Sequence, residues 1–385
     1  MSLPDEFVLP RHGHSTLSDL LPAIGAHLGV PGCLDDALGL PSTSRYVVLL
    51  VDGLGHHLLR GSLRHAGYFS ELFGDAMTLT SGVPSTTATS LTCLGTGLEP
   101  GQHGMAGYSF LDPTGSHAMN ALTWEGGPPD PVAFQPRQTM FERAAAAGVE
   151  VSAVGPARFE TSGLTTAALR GPDFRAADES AHADRIEVAV EASRLGERSL
   201  VYVYERSLDH TGHGKGVASR QWLETLGAVD SFASELREAL DDEVCLLVTG
   251  DHGMLDVPPE RHVLVEDHPA LLRGVELFAG EGRLRQLWVA DAGGPGPERV
   301  ARRWALELGE RAHVVTRDEA VADGWFGRVD DRVRSRFGDV LVAMRQDWAV
   351  MSRALERELS LVGQHGSLTE QEMMVPLLVD HPASW

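Results

Sequence analysis

Val244-Cys-Leu-Leu-Val-Thr-Gly250 is an apolar run that ends in glycine, and Asp251-His252-Gly253 follows it directly. A run of this length, rich in β-branched residues, predicts a buried parallel strand. Ligands of open α/β sheets collect at the carboxyl ends of such strands. A carboxylate beside an imidazole is a mixture typical of zinc sites. An isolated Asp-His-Gly turn is more often a polar loop, so a metal site here needs support from the rest of the chain.

Strand-like runs alternate with helical patterns before this segment. The strands are predicted at 46–51, 149–154, 200–204 and 244–248, and the helices at 139–147, 183–195 and 221–240. This order predicts an α/β fold with a doubly wound, mostly parallel sheet and helices on both faces. Shorter strands around a single helix then predict a smaller α+β cap insert at 265–355, which leaves 1–264 and 356–385 as the catalytic core. The Gly- and Pro-rich stretch 115–134 is predicted as a loop over the site, and 291–297 as a turn.

The acidic composition excludes some classes of partner. The chain of 385 residues has 54 acidic and 32 basic residues and a formal net charge of −22, which disfavours binding to a nucleic acid polymer or an anionic membrane. Residues 1–14 contain no apolar leader-like segment, and no run of about 18 apolar residues occurs. The three cysteines are far apart, without CxxC spacing. We therefore expect a cytoplasmic protein without a disulfide framework.

Four segments carry residues suited to metal binding, and each follows a predicted strand or lies in a glycine-rich turn. They are Val51-Asp52-Gly53, Asp209-His-Thr-Gly-His213, Asp251-His252-Gly253 and Gln364-His365-Gly366. A lone aspartate after a strand is usually a cap or turn residue. The four together are much less expected by chance, because a parallel sheet brings the carboxyl ends of its strands to one edge. The sequence therefore predicts a mixed carboxylate and imidazole site at that edge.

The stretch Ser85-Thr-Thr-Ala-Thr-Ser-Leu-Thr-Cys-Leu-Gly-Thr-Gly97 has two interpretations. It is a helix start capped by Ser or Thr, or it presents a nucleophilic hydroxyl at a helix N-terminus. The exposed N–H groups and the dipole of such an N-terminus favour a phosphate. A nearby metal would lower the pKa of the hydroxyl, which is otherwise far too high for attack at neutral pH. Thr86, Thr87 and Thr89 are the candidates.

The chain resembles the alkaline phosphatase superfamily and, within it, the type I phosphodiesterase/nucleotide pyrophosphatase family. Six motifs carry the resemblance in order: VDG at 51–53, TATSLTCLGTG at 87–97, LEPGQHG at 98–104, DHTGH at 209–213, GDHGM at 250–254 and GQHG at 363–366. They extend over most of the chain, and six motifs in register make a far more specific match than any one of them.

The resemblance implies two divalent metal ions, usually Zn²⁺, although mixed Asp/His sites also accept Mn²⁺. Carried over by position, Asp209, His213 and His365 would hold one ion. The other would be held by Asp52, Asp251 and His252, with the nucleophile as a further ligand. Family members place the nucleophile ten residues before the last glycine of its helix motif, which selects Thr87 over Thr86 and Thr89.

The resemblance also bears on substrate contacts. Family diesterases often place an asparagine on a phosphate oxygen shortly after the His-Gly turn, and Tyr108 stands at that position here. A tyrosine hydroxyl can donate the same hydrogen bond, so Tyr108 is the predicted substrate-binding residue, but the exchange leaves the diester preference open. No motif places an arginine on the phosphate. Surface salt bridges are the expected roles of Arg158 and Arg206.

The sequence thus predicts a two-metal phosphohydrolase that cleaves phosphodiester or pyrophosphate bonds in small phosphate esters, nucleotides among them, through a phosphothreonine intermediate. A phosphomonoesterase or phosphonate hydrolase would use the same site. A mutase or phosphotransferase would need the same ligands, and a non-catalytic metal-binding homologue is the non-enzyme alternative, disfavoured because the six predicted metal ligands and the nucleophile are all present. The oligomeric state cannot be inferred from the sequence.

Overall fold

A central sheet of seven strands organises the protein, which is represented by a computed structural model that describes residues 3–382 except 291–293 and 295. The turn predicted at 291–297 therefore lies largely outside the described residues. In chain order, the strands of the large sheet and of the smaller sheets together are β1 (Arg45–Val51), β2 (Met77–Thr80), β3 (Ser109–Leu111), β4 (Ala118–Asn120), β5 (Glu150–Gly155), β6 (Asp173–Ala176), β7 (Ser199–Glu205), β8 (Val244–Gly250), β9 (Leu255–Asp256), β10 (His262–Leu264), β11 (Val275–Glu281), β12 (Leu284–Val289), β13 (Ala312–Thr316), β14 (Val340–Met344), β15 (Ala349–Met351), β16 (Gly363–Gln364) and β17 (Met374–Asp380).

Helices fill most of the connections between these strands. The α-helices are Leu17–His27, His56–Ser62, Gly67–Leu72, Thr87–Thr96, Pro100–His103, Pro131–Phe134, Met140–Ala146, Gly163–Ala168, His182–Ser193, Ser207–Lys215, Arg220–Ala239, Pro297–Leu308, Arg317–Ala322, Asp331–Arg334, Glu356–Leu359 and Glu370–Met373. The short 3₁₀ helices are Leu63–His65, Phe73–Asp75, Ala157–Phe159, Pro259–Arg261, Val265–Asp267 and Gly309–Arg311. Within the described residues, none of the helices is both long and apolar enough to cross a lipid bilayer.

The large sheet has the strand order β2-β17-β8-β1-β7-β5-β6. Strands β8, β1, β7, β5 and β6 pair in parallel, whereas β17 runs antiparallel between β2 and β8. Alternate residues of β1 enter two separate hydrophobic clusters: Val47, Leu49 and Val51 join one, and Tyr46, Val48 and Leu50 join the other. Because both faces of the sheet are covered, its central strands are apolar throughout rather than alternating. The predicted fold class is confirmed.

A second sheet lies within the segment predicted as the cap. Its order is β11-β12-β14-β13, and all of its pairs are antiparallel. The helix Pro297–Leu308 covers one face and packs Val300 and Trp304 into a cluster with strand residues. Strand β15 pairs with β10, so a ladder crosses the boundary that we predicted between residues 264 and 265. The limits of the cap remain a prediction.

Some elements differ from the sequence prediction for physical reasons. The sequence does not predict strand β17, which lies inside the large sheet. It contains Pro376, and a proline argues against a central strand because it has no N–H to donate to the ladder. Strand β6 has the sequence DFRA and forms one edge of the sheet, where its polarity is tolerated. In the stretch predicted as a loop, β4 pairs with β3, and the helix Pro131–Phe134 begins at the cap residue Asp130.

A buried ion pair joins the second sheet to the large one. Arg283, in the turn between β11 and β12, donates from Nε and Nη2 to the carboxylate of Glu372 at 3.0 and 2.8 Å. Neither side chain is exposed to solvent. The same carboxylate accepts from the backbone N–H of Ser367 at 3.0 Å and from the hydroxyl of Thr369 at 2.5 Å. With these extra bonds, Glu372 is fully partnered without water.

We expect Glu372→Gln to destabilise the protein strongly, because it leaves the guanidinium of Arg283 buried without a counter-charge. Losing one partner of such a pair costs about 3–5 kcal/mol. The free energy of unfolding in urea measures the change. Glu224→Gln, which breaks the exposed i,i+4 pair with Arg220, is the matched control and should cost less than about 1 kcal/mol. Equal losses in the two variants would contradict this account of the pair.

Candidate bimetal active site

Two parallel strands deliver the first group of polar side chains. The register pairs Val51 of β1 with Gly250 of β8, so Asp52 and Asp251 leave neighbouring strands at the same level. The backbone N–H of Gly53 donates to Oδ1 of Asp251 at 3.0 Å and ties the two strand ends together. The predicted convergence of the strand ends is therefore what the register produces.

Asp52, Asp251 and His252 form the first cluster, in which the three potential ligand atoms lie within 4.8 Å of one another. Nε2 of His252 is 3.5 Å from Oδ1 of Asp52 and 3.5 Å from Oδ2 of Asp251. All three residues are buried. Two carboxylate oxygens and one imidazole nitrogen at these separations form a donor set that suits a divalent cation such as zinc.

Asp209, His213 and His365 form the second cluster, and their potential ligand atoms also lie within 4.8 Å of one another. Asp209 and His213 project from the same face of the helix Ser207–Lys215, which follows β7, because residues four apart are neighbours on a helix. Nε2 of His213 is 3.4 Å from Oδ1 of Asp209 and 3.3 Å from Nε2 of His365. The structure thus groups the six predicted ligands as the resemblance implied.

Backbone carbonyls orient all three imidazoles in the same way. Nδ1 of His213 lies 2.7 Å from the carbonyl oxygen of Gly363, and Nδ1 of His252 lies 2.9 Å from that of Gly253. Nδ1 of His365 lies 2.8 Å from the carbonyl oxygen of Ser85. A carbonyl only accepts, so each Nδ1 carries the proton and each Nε2 keeps its lone pair for the centre of the site. This is the usual outer arrangement of metal-binding histidines.

The carboxylates are left with unmatched oxygens. Oδ1 of Asp52, Oδ1 of Asp209 and Oδ2 of Asp251 are buried without a hydrogen-bond partner, although buried polar atoms are nearly always satisfied. These are the same oxygens that approach the imidazole nitrogens. Two cations bound between the carboxylates and the imidazoles would satisfy all three oxygens, so the residues present fit the pair of ions that the family implies.

The crowding of these groups perturbs their protonation. Burial, followed by the charges of Asp251 and Asp209, raises the pKa of Asp52 well above its usual range. Burial also raises the pKa of Asp251. Burial and the neighbouring imidazoles of His252 and His213 lower the pKa of His365 well below its usual range. Each of these pKa shifts favours the neutral form of the group. Bound cations would stabilise the ionised carboxylates and so reverse the shifts of Asp52 and Asp251.

Thr87 lies beside the first cluster, at the start of the helix Thr87–Thr96. Its Oγ1 lies 3.2 Å from Nε2 of His252. The ring of His252 in turn stacks on that of His365, with centroids 3.6 Å apart. Of the competing candidates, Thr86 is the N-cap residue, and Thr89 donates its hydroxyl to the carbonyl of Met105 at 3.3 Å, away from both clusters.

A cavity of about 720 Å³ opens above the clusters, and Thr87, Tyr108 and Arg206 are among the residues that line it. Arg158 and Arg206 both bind Oε1 of Glu179 at 2.6 Å, which are the expected salt bridges.

Two further contacts could not be inferred from the motifs. The hydroxyl of Tyr204 donates to Oδ2 of Asp52, and Glu281 of β11 lines the cavity from the second sheet.

Two mixed carboxylate and imidazole clusters beside a helix N-terminus, at one edge of a doubly wound sheet, form the arrangement expected of a hydrolase of the alkaline phosphatase superfamily. The sequence model of the type I phosphodiesterase/nucleotide pyrophosphatase family matches residues 46–368, and the chain belongs to that family. The family resemblance drawn from the six motifs is confirmed.

Solved structures share this fold. Murine ectonucleotide pyrophosphatase/phosphodiesterase 5, as an inactive variant in complex with AMP, has 16% identity, a TM-score of 0.69 and coverage of 88% of each chain. The human ectonucleotide pyrophosphatase/phosphodiesterase 5 has 18% identity, a TM-score of 0.65 and the same coverage. Phosphonoacetate hydrolase from Sinorhizobium meliloti, in complex with phosphonoformate, has 16% identity and a TM-score of 0.68, with 89% of this chain and 91% of that one covered.

We expect His365→Ala to weaken the binding of one metal ion selectively, because it removes one ligand of the second cluster and leaves the first intact. Elemental analysis after dialysis measures the metal content per chain. His210→Ala is the matched control, since His210 lies beside Asp209 but is exposed and belongs to neither cluster. Two tightly held ions per chain in the His365 variant would contradict the assignment.

Proposed function

We propose that the protein is a two-metal phosphohydrolase that cleaves phosphodiester or pyrophosphate bonds in small phosphate esters. One observation carries the proposal. A buried threonine hydroxyl at a helix N-terminus lies against a carboxylate–imidazole cluster, and a second such cluster is stacked on the first through His252 and His365. Attacking and leaving oxygens on opposite sides of a phosphorus atom require stabilising groups in this kind of arrangement.

In this proposal Asp209, His213 and His365 hold one ion. Asp52, Asp251, His252 and the hydroxyl of Thr87 hold the other. When bound, the two ions would polarise the phosphoryl group and lower the pKa of the threonine hydroxyl. The mixed nitrogen and oxygen donors favour Zn²⁺, with Mn²⁺ as the alternative. Two divalent cations also offset the three aspartate charges, which would otherwise repel an anionic substrate.

Thr87 is the nucleophile. Its oxygen forms a bond to phosphorus while the bond from phosphorus to the leaving oxygen breaks, and the hydroxyl proton passes to the leaving oxygen. An alcohol or a phosphate is released, and the phosphothreonine that forms still carries the remaining ester group of the substrate. Water then hydrolyses the phosphothreonine, restores the hydroxyl of Thr87 and releases the second product. No side chain of the described residues caps the start of the helix Thr87–Thr96, so its first backbone N–H groups can bind phosphoryl oxygens, and the helix dipole favours their negative charge.

The cavity supports a substrate with a substituent beyond the phosphoryl group. Its volume of about 720 Å³ lies in the range of ordinary small-molecule sites. Side chains that line it include Leu91, Leu164 and Phe174, which are apolar, and Tyr108, which can donate a hydrogen bond. Hydrolysis of phosphonates and of monoesters needs the same metal-binding residues and nucleophile. The preference for diesters, monoesters or phosphonates therefore depends on the side chains that line the cavity. A cytoplasmic location without nucleic acid or membrane partners remains our prediction from composition.

We expect the metal-loaded enzyme to hydrolyse bis-p-nitrophenyl phosphate with a higher kcat/KM than p-nitrophenyl phosphate, because the cavity can accept the second ester group. Release of p-nitrophenolate measures both rates, and phosphonoacetate hydrolysis, followed as inorganic phosphate, tests the phosphonate alternative. A strong monoester or phosphonate preference would contradict the diesterase assignment. No turnover of any substrate at full metal occupancy would favour a metal-binding homologue without activity.

Thr87→Ala should lower kcat by at least about 10³-fold, because it removes the nucleophile. Circular dichroism and elemental analysis should show that the fold and most of the metal are retained. Thr89→Val is the matched control, since Thr89 lies in the same helix with its hydroxyl on the carbonyl of Met105. If the Thr87 variant retained activity, the assignment of Thr87 as the nucleophile would be wrong, and a neighbouring residue would have to be the nucleophile.

A further inference from the structure

Glu281 is an unusual carboxyl group in the wall of the cavity. It is the last residue of β11, only 9% of its surface is exposed, and it lines the same cavity as Thr87 and His365. Its Oε1 accepts from the backbone N–H of Tyr108 at 2.5 Å. Its Oε2 is buried without a hydrogen-bond partner. A buried polar atom left in this state is costly unless a ligand completes it.

Arg285, whose charge lowers the pKa of Glu281, makes its own hydrogen bonds to other groups. Arg285 donates from Nε to the carbonyl of Val350 at 2.9 Å and from Nη1 to that of Gly280 at 2.9 Å. Its Nη2 forms an ion pair with Glu358. Within the described part of the chain, Glu281 forms no salt bridge. Burial raises the pKa of Glu281 to about 8, which favours the neutral carboxyl group over the carboxylate.

Glu281 also lies close to the metal-binding segment. A Cβ atom built on Gly366, the residue after His365, would come within 3.2 Å of Cβ of Glu281. A Cβ atom on Gly107, the residue before Tyr108, would come within 3.6 Å of its Oε1. The carboxyl group therefore sits between the segment that carries His365 and the segment that carries Tyr108.

We propose that Glu281 is a substrate-positioning residue whose Oε2 forms a hydrogen bond, with the carboxyl group as donor, to an oxygen of the bound phosphoryl group. This inference rests on the proposed function, since it needs a phosphoryl group in the cavity. Oε1 remains the acceptor for the N–H of Tyr108 and fixes the orientation of the group. A neutral carboxyl donor contributes binding without adding a negative charge beside an anion, as an ionised glutamate would.

The test compares Glu281→Gln with Glu281→Met in the metal-loaded protein. Glutamine keeps an acceptor for Tyr108 and a donor for the ligand, whereas methionine has similar length and offers neither. Calorimetric titration with inorganic phosphate should give a Kd for the glutamine variant within about threefold of the parent. The methionine variant should bind at least about tenfold more weakly, as expected for a lost hydrogen bond to a charged group. Glu160→Gln, which changes an exposed carboxylate of the same cavity, should leave binding unchanged.

A crystal structure of the metal-loaded parent protein with inorganic phosphate provides a second measurement that does not depend on any variant. Oε2 should lie within hydrogen-bond distance of a phosphate oxygen. The proposal is overturned if Oε2 instead binds a metal ion or contacts no phosphate oxygen, or if phosphate binding is unchanged in the methionine variant. Equal loss in both variants would also overturn it, because glutamine retains the donor.

The outcomes separate this inference from the proposed function. If the parent protein binds phosphate and hydrolyses diesters but the methionine variant does the same, only the role of Glu281 falls. If the parent neither binds phosphate nor hydrolyses any phosphate ester at full metal occupancy, both fall. Thermal unfolding of each variant shows whether a weaker Kd comes from the lost donor or from a displaced Tyr108 segment.

Discussion

The convergence of three aspartates, of which Asp52 and Asp251 are buried and Asp209 is half-buried, is the constraint on which the rest of the site depends. The charges of Asp251 and Asp209 add to burial in raising the pKa of Asp52, and the charge of Asp209 adds to burial in raising the pKa of Asp251. Burial makes the repulsion between these carboxylates costly. The protein offsets part of this cost with donors: Tyr204 to Asp52, and the N–H groups of Gly53 and His252 to Asp251, each at 3.0 Å. These donors leave one oxygen of Asp52 and one of Asp251 free, and both face the histidines.

Close backbone packing explains the glycines around these aspartates. A Cβ on Gly250 would lie 2.2 Å from the carbonyl oxygen of Leu54, and one on Gly253 would lie 1.9 Å from that of Gln371. Gly53 has a φ of +76° and packs against the backbone of Asp209. Only glycine lets the strand ends come this close. In the VDG and GDHGM motifs, the glycines therefore permit close backbone packing, whereas the aspartates and the histidine supply the polar groups of the site.

The sequence predicted what local patterns encode. The strands at 46–51, 200–204 and 244–248 are apolar on both faces, and the spacing of the motifs identified the residues that the two clusters bring together. It could not predict contacts that depend on how distant segments fold together. Strand β17 was not predicted, because Pro376 is untypical of a strand inside a sheet. Glu281 carries no motif, because its environment is made by Tyr108 and Gly366, which are far from it in the chain. The role of Tyr204 likewise depends on the register of β1 with β7.

Ser85 shows how the proposed nucleophile and the second cluster are held in place relative to each other, although Ser85 and His365 are 280 residues apart in the chain. Its carbonyl accepts from Nδ1 of His365 at 2.8 Å, and its hydroxyl donates to the carbonyl of Ser367 at 2.6 Å. The N–H of Gly366 donates to the Ser85 hydroxyl oxygen, and the N–H of Ser85 donates to the carbonyl of Gly366, each at 3.2 Å. Because Thr87 is two residues further on, a shift of this segment would move Thr87 and the imidazole of His365 together. Four hydrogen bonds thus couple the segment of the proposed nucleophile to the segment of a proposed metal ligand.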